Sequence, residues 1–364
     1  MRLRPSLYRY RLPLLRPLLL GTHTIDHREG LIVRLLDDSG HEAHGEIAPL
    51  PYCSREKLSD ALAQTQLVLK ELSQREWPDS TIDDWQRSEL FSRLDSLYHS
   101  VGFGLSTAVL QLAALQQSTE LHTLMDATSP DSVSVNALLT GGNVEILERA
   151  RTLNSQGFRV AKLKVGTNSI SDDIDLIRNV SRIFDSGVSL RLDANRRWTL
   201  EQAVECLTAD RDNEIEYIEE PVNNLRRLPE LHNFVSTRVA LDESLPEYFA
   251  TGMQARFIPN AVIVKPTLSG GWGRCLNLHH WAQEKHVKLV VSSSFESAVG
   301  LRTLASLAAV ISADTACGLD TSSWFSQDLI DGGLPIKNGQ CSIRELSFDW
   351  SSIHSDLLTE VPLG

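Results

Sequence analysis

Between Val160 and Lys265 the chain repeats one device: a short apolar run that stops on a charged side chain. Val160–Val165 carries Lys162 and Lys164, Leu190–Asn195 carries Asp193, and Ile215–Pro221 carries Glu219. Val239–Ser244 then carries Asp242, and Val262–Pro266 carries Lys265. Short runs of this composition are buried strands of a parallel sheet, with the chemistry placed where each strand ends. Strand-like runs near Val133, Val160, Val188, Ile215, Val239, Ala261 and Val287 recur about 25 residues apart. Amphipathic stretches such as 143–154 and 172–184 separate most of them. Gly157 and Gly187 fall where a helix should hand over to the next strand. The expectation is an α/β chain with a (β/α)7β TIM-type barrel. An open doubly wound sheet is the rival. It calls for a glycine-rich phosphate loop at its first turn, which Gly166-Thr167-Asn168 does not supply.

The chain before the repeat has another texture. Ser6–Leu12, Gly30–Leu36 and Glu42–Ile47 read as strands, the last two flanking a turn at Asp37–Gly40. Ser54 is placed to cap a helix running to about Leu72, and less regular helices are expected over 83–97. Ser106–Gln116, apolar nearly all round, predicts a buried helix. From Ser326 the repeat is lost. The expected division is an α+β capping domain over 1–128, the barrel over 129–325, and a C-terminal segment, 326–364, that returns to the cap.

A chain of 364 residues, 42% hydrophobic, can bury a substantial core. Its net charge of −12 lacks the basic footprint of a nucleic-acid binder. The five cysteines are odd in number and never spaced Cys-x-x-Cys, so neither a zinc site nor a disulfide frame is implied. Pro13, Arg16 and Pro17 interrupt the apolar stretch Leu12–Leu20, which therefore reads as a strand rather than a secretory signal. No run approaches the length of a membrane span. These features predict a cytoplasmic protein with a small-molecule partner and neither a nucleic-acid nor a membrane partner. They leave its oligomeric state open, a monomer being compatible.

Asp193, Glu219 and Asp242 end three consecutive strands, so a barrel would bring them to one point. One such acid is usually a helix cap or a rim ion pair. Three together repel one another unless a cation sits among them, and oxygen-only donors favour Mg²⁺. Lys162 and Lys164 are two apart in a strand and share a side. Crowding and loss of water should lower a lysine pKa there and make a neutral amine available as base. Lys265 faces them across the mouth. A cation with a lysine on each side suits removal of a proton α to a carboxylate, through an enediolate.

The series Lys-x-Lys, Asp-Ala-Asn, Glu-Glu-Pro, Asp-Glu-Ser and Lys-Pro resembles the enolase superfamily in its muconate-lactonizing subgroup, and does so from near Tyr8 to about Gly339. A lysine beside Mg²⁺ is an established pattern of that superfamily. Three pieces resemble the o-succinylbenzoate synthase branch: Gly45–Pro51, Ser292–Ser297 with Val299–Leu301, and Gly318–Thr321. The resemblance implies Asp193, Glu219 and Asp242 as Mg²⁺ ligands, Lys164 as the base and Lys265 as the lysine opposite. It implies Lys162 as the residue tuning Lys164, with Glu220 and Glu243 turned away. Arg191 and Asn195 would support Asp193 from behind, and Ser292, Ser293 and Ser294 would receive a succinyl carboxylate. The loop 20–28, with His23, His27 and Arg28, would close over the substrate. The implied activity is a Mg²⁺-dependent syn dehydration that aromatises a succinyl-bearing cyclohexadiene carboxylate.

Three alternatives share the catalytic set: an N-succinylamino-acid racemase, a dipeptide epimerase and, more weakly, a muconate cycloisomerase. A dipeptide epimerase would be expected to carry Asp-x-Asp after the last strand, where Gly318-Leu319-Asp320-Thr321 has one acid. A non-catalytic binding barrel would commonly have lost a lysine or a ligand, and none is missing.

Overall fold

The computed structural model describes residues 2–76, 93–153, 155–184, 187–209, 215–346 and 349–363. Most of the helical stretch expected over 83–97 lies outside the described residues. The chain opens with β1 (Arg4–Leu20), β2 (His23–Leu36) and β3 (Glu42–Ile47), which form an antiparallel sheet. β1 runs on past Leu12 to Leu20, and Gly21, with φ +62°, begins the turn into β2. Pro17 lies in the irregularity between Pro13 and Leu18, where its missing N–H costs no regular ladder bond.

Helix α1 (Leu58–Gln74) starts later than Ser54. The Ser54 hydroxyl instead accepts from the Leu50 amide at 2.9 Å and closes the preceding loop. Asp60 satisfies the Lys57 amide at the helix start, at 3.0 Å. Helix α2 (His99–Gln116) begins ahead of the expected Ser106 and is buried almost throughout. It crosses β3 so closely that a side chain on Gly45 would strike the Gly104 carbonyl. The short α3 (Leu121–Met125) follows.

The run near Val133 is not the first barrel strand. As β4 (Ser132–Ser134) it pairs antiparallel with β12 (Gln340–Ser342), and the barrel starts at β5 (Ala137–Leu139). Then come α4 (Asn143–Leu153), β6 (Val160–Lys164), α5 (Ile170–Ile183), β7 (Ser189–Asp193), α6 (Leu200–Ala209) and β8 (Ile215–Glu219). They are followed by α7 (Leu228–Leu231), β9 (Val239–Leu241), α8 (Leu245–Ala250), β10 (Ala261–Val264), α9 (Pro266–Ser269) and α10 (Trp272–Lys285). β11 (Lys288–Val291) and the wholly buried α11 (Ala298–Ile311) complete the series.

The strands β5 to β11 lie side by side in chain order, as right-handed strand–helix units require. Parallel bridges Ser292–Gly318 and Val135–Cys317 carry the sheet round toward its first edge. The short segment 317–318 thus acts as the eighth stave. β13 (Leu358–Val361) pairs with β1. The fold is α/β, a curled parallel sheet with an antiparallel cap.

Alternation along the strands sorts the side chains. Leu163, Leu192, Ile218, Val264 and Val291 join the large core against the helices. Tyr217, Ala240, Ala261, Ile263 and Val290 form a separate cluster that lines the inside of the barrel. Lys162, Lys164, Arg191, Asp193 and Glu219 share that inward parity, which puts charge inside a closed sheet.

Candidate active site

Register brings the charged strand ends together. Lys164 stands opposite Asp193, and Asp193 opposite Glu219, across three adjacent strands. Lys162 Nζ lies 2.8 and 2.7 Å from the two Glu219 oxygens and 2.8 Å from Asp193 Oδ2. Lys164 Nζ reaches the same Asp193 oxygen at 2.6 Å and Asn195 Oδ1 at 2.9 Å. Asn195, at φ +43°, also donates its amide to Asp193 Oδ1 at 3.0 Å. Lys265 pairs with Asp242 from the other side of the mouth. Asp193 and Glu219 are fully buried. Three ammonium groups thus face three carboxylates in a water-poor pocket.

This pairing decides the proton affinities. Burial raises the Asp193 carboxyl, but Lys162 and Lys164 prevail and hold it far below the usual carboxylate range. Burial, with the charge of Asp193 added, pushes Glu219 well up despite Lys162. Lys162 runs against the expected lowering. Burial opposes the charge on Lys162, yet Asp193 and Glu219 raise it well above an ordinary lysine. Burial also opposes the charge on Lys265, and Asp242 raises it in the same way. The expectation weighed ammonium against ammonium. Carboxylates in direct hydrogen bonds outweigh that repulsion.

Among the described residues no three His, Cys, Asp or Glu side chains stand as a ready cation cage. Lys162 occupies the space between Asp193 and Glu219, and Lys265 engages Asp242.

Arg191 does not reach Asp193. Its guanidinium bonds Glu216, Asn136, the Ala316 carbonyl and Thr315. Two residues along a strand is a step of about 6.6 Å, enough to move Arg191 one layer toward the barrel foot. A cavity of about 250 Å³ opens at that pole beside Arg159, Arg191 and Glu216, away from the lysine cluster. Arg28 is buried and bonds three backbone carbonyls, whereas His23 stacks on Tyr52 at 3.9 Å between centroids. Glu220 does turn from the cluster: it accepts from the amides of Asp242 and Ser244, and burial with the charge of Glu243 pushes it up to about 7. Glu243 is exposed just beyond the end of β9. Its carboxyl is raised by partial enclosure and by Asp242 and Asp193, while Lys265 opposes, although the side chain keeps an exposed face. β9 ends at Leu241, so strand alternation no longer governs where Glu243 points.

The serines are placed unequally. Ser292 Oγ is 3.4 Å from the Gly318 carbonyl, and Ser293 Oγ is 2.7 Å from Thr321 Oγ1. Ser294 Oγ is buried with no partner among the described residues. Thr321 and Glu296 were missed from the sequence. Only the position of Glu296 beside the serine run could have drawn notice.

Residues 145–346 match the family model described as "Enolase C-terminal domain-like", and residues 1–112 match "MenC, N-terminal domain". An o-succinylbenzoate synthase from Aliivibrio salmonicida is 31% identical over 350 residues, covering 95% of this chain and 99% of that protein. The chloroplastic protein PHYLLO of Arabidopsis thaliana is 31% identical over 347 residues, 85% of this chain. The chain spans only 20% of PHYLLO's length. Among solved structures, a dipeptide epimerase from Cytophaga hutchinsonii complexed with Mg and the dipeptide D-Ala-L-Val superposes with a TM-score of 0.81. That match has 22% identity and covers 99% of this chain and 98% of the other.

Proposed function

The chain belongs to the enolase superfamily, and from that premise we propose that it is an o-succinylbenzoate synthase. It would convert 2-succinyl-6-hydroxy-2,4-cyclohexadiene-1-carboxylate to 2-succinylbenzoate and water, in menaquinone biosynthesis. The observation that carries the reading is the pair Lys164 and Lys265. Lys164 ends β6, Lys265 directly follows β10, and they are anchored by Asp193 and Asp242 respectively.

The cofactor is Mg²⁺, as in the epimerase crystallised with Mg. Asp193, Glu219 and Asp242 fit it by donor chemistry: three carboxylates with neither nitrogen nor sulfur among them. Asp193 and Glu219 stand close enough for one Lys162 ammonium to reach both. What the ion supplies when bound is positive charge beside the substrate carboxylate.

Lys164, as a free amine, takes the proton from the ring carbon next to the carboxylate. Lys265 remains an ammonium on the opposite face and steadies the negative charge that develops. The hydroxyl on the neighbouring carbon departs with the proton that Lys164 returns, leaving as water. The electron pair of the broken C–H bond becomes the ring's third double bond, so no oxidant is needed. Lys162, locked between Asp193 and Glu219, sets its positive charge beside Lys164 on the same Asp193 oxygen. Ser294, with its unpaired buried hydroxyl, is the best placed of the three serines to bond the succinyl arm.

Two features favour the synthase over its sister activities. One is the near full-length likeness to synthases. The other is that Asp320, the single acid after the last stave, is already bound to Arg149 at 2.6 Å and to the Leu138 amide at 3.2 Å. Racemisation of N-succinyl amino acids, or dipeptide epimerisation, is the second reading, because a lysine on each face serves those reactions equally. The test is turnover of the cyclohexadiene acid with and without Mg²⁺, beside N-succinyl amino acids and dipeptides. Epimerisation or racemisation without dehydration would sink the synthase reading.

A further inference from the structure

Behind the serine run lies a buried carboxylate that takes no part in the chemistry above. Glu296 is 1% exposed. Its Oε1 accepts from Thr267 Oγ1 at 2.7 Å, and its Oε2 accepts from the Ser294 amide at 2.6 Å. Thr267 lies two residues beyond Lys265, in α9. One carboxylate thus spans two staves of the barrel: the one that delivers Lys265 and the one that delivers the serines.

The cap holds this corner from the other side. Arg28 of β2 donates to the Phe295 carbonyl at 3.0 Å, and also to the carbonyls of Ala48 and Pro49. Burial raises the Glu296 carboxyl, and the Arg28 charge opposes that rise. Glu46 of β3 takes the amide and hydroxyl of Ser297, at 2.9 and 2.6 Å. Phe295, between them, is held at φ +59°, a conformation a bulky side chain adopts only when its surroundings impose it. An apolar side chain would fill the same corner at less desolvation cost. What a two-handed acceptor adds is a fixed distance between two segments.

We propose that Glu296 is a positioning residue: by tying Ser294 to Thr267 it sets the serine loop against the Lys265 strand, and so governs how tightly the succinyl arm is held. The identity of that arm rests on the synthase reading. Proton transfer itself is left to the lysines.

Three variants test this: Glu296→Ala, Glu296→Gln and Thr267→Val. In Glu296→Ala, KM for the cyclohexadiene acid should rise about tenfold or more while kcat stays within about threefold. Affinity for 2-succinylbenzoate should fall in parallel, and affinity for benzoate, which lacks the arm, should not. Glu296→Gln can still accept from Ser294 and donate to Thr267 and should recover most of the loss. Amide hydrogen exchange of the 292–297 segment should quicken in Glu296→Ala and in Thr267→Val. A fall in kcat with KM unchanged, or parental KM and exchange in Glu296→Ala, overturns the proposal. Should Glu296→Ala fail to fold, Thr267→Val, which cuts one hydrogen bond, decides by the same readouts. If the parent protein does not dehydrate the acid, the synthase reading falls, and the exchange data still decide whether Glu296 positions the loop.

Discussion

Lys162 and Glu219 form a two-pronged ion pair, Nζ standing 2.7 and 2.8 Å from the two carboxylate oxygens. The same ammonium also reaches Asp193 at 2.8 Å. The acids that would hold a divalent ion are thus each within reach of an ammonium group.

Removing Mg²⁺ should therefore stop turnover without unfolding the protein, because the lysines can neutralise the carboxylates in its place. Chelation with EDTA is expected to abolish dehydration, and added MgCl₂ to restore it, while far-ultraviolet circular dichroism stays constant. Glu219→Gln should weaken Mg²⁺ binding at least about tenfold by calorimetry, since it removes one anionic donor. Unchanged affinity would remove Glu219 from the ligand set.

Lys164→Ala should lower kcat by about 10²–10⁴-fold, the range for loss of a general base. Mg²⁺ should still bind, because the substitution leaves all three carboxylates, Asp193, Glu219 and Asp242, in place. Retained turnover in this variant would rule out Lys164 as the base.

Arg191→Met separates the barrel foot from the catalytic mouth. Arg191 is 1% exposed and pairs with Glu216, so its loss should cost about 3 kcal/mol in urea unfolding, at the lower end for a broken buried pair. Mg²⁺ affinity should be parental. A large drop in that affinity would return Arg191 to the support of Asp193.

Asp328 gives a pH signature. Its Oδ1 accepts from the Ala298 amide at the start of α11 and from Leu329. Burial, with the charge of Glu46 adding and Arg302 opposing, pushes its pKa up from 3.8 to about 6. A carboxyl with a higher pKa folded than unfolded holds its proton more tightly when folded, so its contribution to stability falls as pH rises between those values. Above about pH 6 the penalty is complete. Asp328→Asn keeps the accepting oxygen and drops the charge. It should be more stable than the parent by about 1–3 kcal/mol at pH 7.5 and equal to it near pH 4. A variant no more stable than the parent at pH 7.5 would show that the buried charge carries no penalty there.

Gly45→Ala tests the seam between β3 and α2. The added methyl meets the Gly104 carbonyl, a backbone atom that cannot swing aside. A loss of about 3 kcal/mol or more, or insolubility, is expected, with Gly142→Ala as a control at a glycine that is open on all sides and has no positive φ. A parental melting temperature in Gly45→Ala would show that the seam is loose.

The strand ends were legible because a parallel barrel turns local sequence into position. A buried strand needs an apolar run, the run needs an end, and the ends share one rim. Asp193, Glu219 and Lys164 could be read in that way, and neighbouring register then set them side by side. Val133 misled because an alternating run such as Ser132–Val135 looks the same in a barrel as in the β4–β12 pair, and the pairing depends on residues two hundred positions away. Ser54 misled because a hydroxyl can cap a helix or close a loop with equal ease.

By itself, then, the order of residues determined which side chains end each strand, the alternation that turns them inward, and a net count of three acids against three lysines at one rim. Folding alone decided who holds whom. It gave Lys162 to two carboxylates and kept Arg191 at the foot of the barrel. It also set Glu296 between Thr267 and Ser294. Those outcomes follow from distances of under 3 Å between segments far apart in the chain, where Coulomb and hydrogen-bond energies are steep and local sequence carries no record of them.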